Sequence, residues 1–188
     1  MSEPMSRRVL GIDPGTTNCA VYDTQLGDTI LRRLTRGKER ETHYAFLKRV
    51  VGDLFWDDPV DAVVIENAFD RSAGRVLARF CNILQWEALQ IVVGNDGNPG
   101  PVLLVNPVHL KQYVTGRGNP DKGQLYSTIE QHIASGRYPH GPDDTSEHVR
   151  DAYVLALMGQ NWLAVADGRT RGLRGPIDVV RKVRRAWE

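Results

Sequence analysis

The stretch VLGIDPGTTN, Val9 to Asn18, decides how the chain is read. Val9, Leu10 and Ile12 form the kind of apolar run that makes a strand buried on both faces, and it stops abruptly at Asp13. Pro14-Gly15 then reverses the backbone, so Cys19-Ala20-Val21-Tyr22 is expected to return antiparallel beside it. A carboxylate at the end of a central strand is held in place yet still reaches solvent, which suits a metal ligand. The same pattern also serves as a plain strand-ending acid in an Asp-Pro-Gly turn. On this stretch alone the two readings stand equal.

The totals narrow the field. A length of 188 residues favours one domain with a real hydrophobic core. With 41% hydrophobic and 25% charged residues, the composition is that of an ordinary globular protein. No apolar run approaches the roughly 20 residues of a membrane span, and the N-terminus has no signal-peptide core, so a cytoplasmic protein without membrane association is expected. Cys19 and Cys81 lie far apart without metal-ligand spacing, which argues against zinc and against a disulfide scaffold and fits a reducing cytosol. The net charge of +1 is unevenly spread: the segment from Asp167 to Glu188 carries +4 and the rest −3. An acidic body with a basic tail suits a carboxylate-rich site beside a polyanion-binding segment, and it equally suits a solvated charged terminus. The chain is therefore divided into a domain over residues 1–166 and a basic C-terminal tail over 167–188.

Along the chain, strands are expected at 8–13, 19–23 and 29–34, joined by short turns into a meander. Phe46, Leu47, Val50, Val51, Leu54 and Phe55 recur at helical spacing between residues 39 and 56. A fourth strand, 61–66, repeats the pattern of the first, with apolar residues leading to Glu66. A long amphipathic helix over 72–93 and a fifth strand at 102–105 follow. A short helix starts at Pro107, where proline is tolerated in the first turn, and Asp121 caps another running to about Ile133. The last helix begins near Ser146 and is apolar nearly all round, so it should lie deep against the sheet. The order predicts an α/β fold: a five-stranded mixed sheet flanked by helices.

The acids gain meaning together. Asp13 and Glu66 each end a core strand, and if those strands are neighbours both carboxylates emerge at one end of the sheet. His148 and Asp151 lie three residues apart, on one face of the last helix. Asp151 heads an apolar surface where an unpaired carboxylate is unfavourable and a cation would compensate it. Three carboxylates and one imidazole suit Mg²⁺ or Mn²⁺, singly or as a pair, and such a site can hydrolyse phosphodiesters. Taken singly, each of the four is also compatible with a solvated strand end or helix surface.

These residues carry a resemblance. The segments GIDPGTTN (11–18), VVIENAF (63–69), VNPVHLKQYVTGRGNPDK (105–122) and EHVRDAYVLAL (147–157) resemble the RuvC-type Holliday junction resolvases of the RNase H-like superfamily, over about Val9 to Gly159. The first segment is shared by superfamily relatives; the third, with its spaced lysines, is the more specific. The resemblance implies an RNase H-like fold, with Asp13, Glu66, His148 and Asp151 as the catalytic metal ligands. It implies that Lys111 and Lys122 hold DNA near the scissile phosphate. It also implies that Phe69 stacks at the junction centre, where a ring on unpaired bases makes physical sense. Arg71, Arg75 and Arg117 are the further candidates for phosphate contact. Symmetry and the family together imply a homodimer making paired nicks in four-way DNA, because a two-fold junction needs two sites. The 72–93 helix, with Trp86 and Arg79 beside its apolar face, is the candidate interface.

Three rivals remain at this point. A debranching or flap nuclease of relaxed specificity, or one acting on RNA–DNA hybrids, would share every motif, since the motifs do not encode substrate geometry. A catalytically silent DNA-structure-binding module would not need all four ligands. GIDPGTTN also resembles the phosphate loop of actin-like ATPases, but those need two such halves and a second loop of DxGG type, which the chain lacks.

Overall fold

Alternating apolar faces build the sheet. The computed structural model describes residues 7–33, 42, 45–46, 49–50, 52, 59–67, 74–92, 100–167 and 178–180. Strand β1 (Val9–Asp13) is buried along its whole length and pairs antiparallel with β2 (Asn18–Asp23), which pairs antiparallel with β3 (Asp28–Arg33). On its other side β1 pairs parallel with β4 (Ala62–Glu66), and β4 pairs parallel with β5 (Val102–Val105). All five expected strands are present. A sixth, β6 (Asp178–Val180), lies within the basic tail segment and adds antiparallel to β5, giving the order β3-β2-β1-β4-β5-β6.

Four helices complete the described fold: α1 (Arg75–Ile91), α2 (Pro107–Thr115), α3 (Lys122–Ala134) and α4 (Glu147–Ala166). Their ends follow local chemistry. Asn106 caps α2 by accepting from the Val108 amide at 2.9 Å, Pro107 opens it, and Gly116 closes it in the left-handed region at φ 73°. Asp121 caps α3 by accepting from the Gln124 amide at 2.8 Å. Most of the helix expected over 39–56 lies outside the described residues; those described at 45–46, 49–50 and 52 are helical.

The sheet separates two cores, as a two-residue period requires. Leu10, Ile12, Val63 and Ile65 face Phe46, Val50 and the Phe80-Leu84-Ala88 stripe of α1. Val9, Ala62, Val64 and Leu103 face α4, which is buried continuously from Ala152 to Gly159. Between Ala152 and Gly159 helix α4 is apolar all round, because one side lies on β1, β2 and β4 while another meets α2. Gly11 fixes how closely it lies: a Cβ there would stand 2.1 Å from the Ala152 carbonyl oxygen and 2.4 Å from the Ala156 nitrogen. Only glycine admits that approach. No helix among the described residues is long and apolar enough to cross a membrane.

Candidate metal centre

The strand alternation that sends Val9 and Gly11 toward α4 sends Asp13 the same way, and Glu66 follows Ala62 and Val64. Because Ile12 pairs with Ile65 on the parallel neighbour, the two acids leave the sheet side by side. The contact of Gly11 with the Ala152 carbonyl then delivers Asp151, one residue earlier on α4, to the same end. Asp13, Glu66 and Asp151 each place a carboxylate oxygen within 4.8 Å of the others. Asp13 is 7% exposed, and Oδ1 of Asp151 is buried with no hydrogen-bond donor among the described residues.

His148 comes to the centre differently from the carboxylates. Its imidazole lies outside the mutually close set, with Nδ1 at 2.6 Å from Oδ2 of Asp13 and Nε2 at 3.5 Å from the side-chain nitrogen of Asn18. An ionised Asp13 carboxylate only accepts, so Nδ1 carries the proton there and Nε2 is left to accept from Asn18. In this arrangement the imidazole orients Asp13, and its neutral form keeps one ring-nitrogen lone pair with which it can ligate a cation.

The electrostatics record the crowding. Burial, then the neighbouring Asp13 and Asp151 charges, push the Glu66 carboxyl well above the usual range, against the pull of Lys111. Burial, Asp13 and Glu147 push Asp151 up to about 7, opposed by His148 and Lys122. The hydrogen bond to Asp13 raises His148. Without a cation, protons must take up the charge that these carboxylates cannot all carry together.

A divalent cation fits this donor set. The three carboxylates supply hard oxygen ligands, and Asp151 has one carboxylate oxygen, Oδ1, that is buried without a hydrogen-bond partner. The lysines flank it. Lys111, half-buried on α2, lies close enough for its charge to lower Glu66, and Lys122 at the start of α3 feels both Asp151 and Asp13. Lys122 Nζ donates to Glu147 in an ion pair. Arg117 is exposed in the loop between α2 and α3, and Arg75 and Arg79 are exposed on α1. Phe69 and Arg71 lie outside the described residues.

Three neighbours were not singled out from sequence. Glu147 stands one turn before Asp151, a spacing that shares a helix face and could have flagged it. Tyr126 stands one turn after Lys122 on α3, with its ring under the Arg150 guanidinium at 5.0 Å. Its phenol is raised by burial and then by Asp151, Glu147 and Asp13, which marks it as a neighbour of the centre. Asn18 sits inside the opening motif, but its contact with His148 spans 130 residues and has no local signature.

No family model matches the sequence. A crossover junction endodeoxyribonuclease RuvC from Frankia alni is 31% identical over 173 residues, covering 87% of this chain and 82% of that protein. The protein of the same name from Corynebacterium efficiens is 26% identical, covering 87% of this chain and 73% of that protein. Among solved structures, Thermus thermophilus RuvC in complex with a Holliday junction substrate is similar at a TM-score of 0.57, covering 87% of this chain and 97% of that one. At 17% identity, that likeness speaks for the fold.

Proposed function

The chain belongs to the RuvC family of crossover junction endodeoxyribonucleases, and from that membership we propose that its acidic centre resolves four-way DNA junctions by paired phosphodiester hydrolysis with Mg²⁺, for which Mn²⁺ can substitute. The observation that carries the metal assignment is the convergence of the Asp13, Glu66 and Asp151 carboxylates, one of which, Asp151, keeps a buried oxygen with no donor. When bound there, a divalent cation supplies Lewis acidity to the scissile phosphate and to the attacking water.

The chain's own residues do the rest. Burial and mutual repulsion favour the protonated forms of Glu66 and Asp151 in the metal-free centre, and both ligate as carboxylates. His148 keeps the Asp13 carboxylate oriented and, as the neutral imidazole, completes the ligand set. Lys111 and Lys122 hold backbone phosphates on either side of the acids, Arg71 and Arg117 extend that contact, and the 167–188 tail adds positive charge. Phe69, close beyond Glu66, stacks on unpaired bases at the junction centre. A homodimer presents two such centres, and the exposed face of α1 supports it: Val76 is 47%, Ile83 37% and Trp86 59% exposed, all on one side of the helix. Such an enzyme acts on DNA in the cytoplasm.

The test is cleavage of matched four-way, Y-shaped, flap and linear duplexes by the wild-type protein in Mg²⁺. Paired cuts confined to four-way junctions are expected. Equal cutting of every substrate would instead identify a branched-DNA nuclease of relaxed specificity.

A further inference from the structure

Lys122 is the cation best placed to meet DNA beside the acidic centre, yet it is already occupied. Its side chain is 65% exposed, and Nζ donates to Glu147, itself 43% exposed in the first turn of α4. Glu147 shares a helix face with Asp151, one turn away, so the pair stands at the mouth of the centre. A carboxylate oxygen on Nζ occupies the place that a phosphate oxygen would take, with the same charge and the same hydrogen-bond geometry. Breaking the pair need not unseat α3. A second ion pair, Arg150 to Glu130 at 2.7 Å, joins the same two helices, and Arg150 also covers Tyr126.

We propose that Glu147 is a positioning residue that stands in for a DNA phosphate: it parks Lys122 beside the acidic centre in the free protein and yields it to the backbone of the seated DNA. The proposal rests on the reading that Lys122 meets DNA. No bond is made or broken; one carboxylate is exchanged for one phosphodiester on the same ammonium group, and the freed carboxylate returns to water. A helix-dipole role alone would predict only lost stability on removing Glu147. The exchange predicts tighter DNA binding.

The experiment is a double-mutant cycle with the full chain, using Glu147→Gln, Lys122→Met and the double variant. Binding to a fluorescent four-way junction is measured in EDTA over a salt series, with thermal melts to confirm that each variant folds. Glu147→Gln should bind about two- to fivefold tighter at low salt, the range set by an exposed ion pair. Its salt dependence should be steeper, because an unpaired cation then faces the phosphates. The gain should vanish in the Lys122→Met background. If Lys122→Met weakens binding but Glu147→Gln leaves it unchanged or weaker, the stand-in role is wrong and the DNA role of Lys122 survives. An equal gain in both backgrounds would reduce Glu147 to bulk charge and overturn the proposal. If Lys122→Met changes nothing in either background, the assignment of Lys122 to DNA fails and the proposal falls with it.

Discussion

Replacing Gly11 by alanine tests how the centre is assembled, although Gly11 contributes no chemistry. The new Cβ would lie 2.1 Å from the Ala152 carbonyl oxygen and 2.4 Å from the Ala156 nitrogen. Both are backbone atoms of α4, so no side chain can rotate away. Ordinary contact begins at 3.4 Å, so the helix would have to stand about 1.3 Å farther from β1. Overpacking of this kind typically costs 1–3 kcal/mol, and a backbone obstacle places it at the upper end, about 3 kcal/mol. For a chain of this size that corresponds to a fall in melting temperature of about 6–12 °C. The functional loss should be larger, because Asp151 moves with Ala152; a displacement near 1 Å costs on the order of 10²-fold in rate. The assay pairs a thermal melt with junction cleavage in Mg²⁺. Gly52→Ala serves as control, since Gly52 is helical with nothing within 4 Å of its added Cβ. A Gly11→Ala protein that melts and cuts like wild type would refute the close seating of α4 and the delivery of Asp151 by it.

Other expectations follow from the charge of the centre and from α1. Asp151 is raised from 3.8 to about 7 on folding, so the folded chain keeps a proton that the unfolded chain gives up. Its contribution to stability is therefore full below pH about 4 and is lost as pH rises through about 7. Asp151→Asn should accordingly raise the melting temperature of the metal-free protein at pH 8 and leave it nearly unchanged at pH 4; no gain at pH 8 would contradict the buried-carboxylate account. By the same reasoning, Mg²⁺ should raise the wild-type melting temperature at pH 8 far more than at pH 5, where protons compete for the ligands. An equal rise at both values would point to a site elsewhere. Trp86→Glu places a charge on the exposed face of α1; sedimentation is expected to show a dimer for the wild type and a monomer for this variant. A variant that remains dimeric would move the interface off this helix.

Much of the fold and of the site was legible because the signals were local. An apolar run ending on an acid marked β1 and β4, and the 105–122 segment carried both a proline helix start and an aspartate cap. Glu66 and Asp13 could be paired as soon as their strands were taken as neighbours. What escaped depends on contacts distant in sequence. With three residues, Asp178–Val180 shows no period, and it forms a strand through pairing with β5. Glu147 was not singled out, because its pairing with Lys122 depends on the way α3 meets α4. For His148, expected as a ligand beside the carboxylates, nothing in the sequence signalled the two contacts that fix its ring. Its position is set by Asp13 and Asn18, which hold both ring nitrogens.

The central claim is that Asp13, Glu66 and Asp151 form one cation-dependent centre that cuts junction DNA. The most direct measurement compares binding and cleavage of one four-way junction by wild type, Asp13→Asn and Asp151→Asn in Mg²⁺. The account predicts that both variants bind the junction as tightly as wild type, or more tightly, and cut it at least about 10²-fold more slowly, as expected when charge stabilisation at the reacting phosphate is lost. Wild-type cleavage by either variant would contradict it.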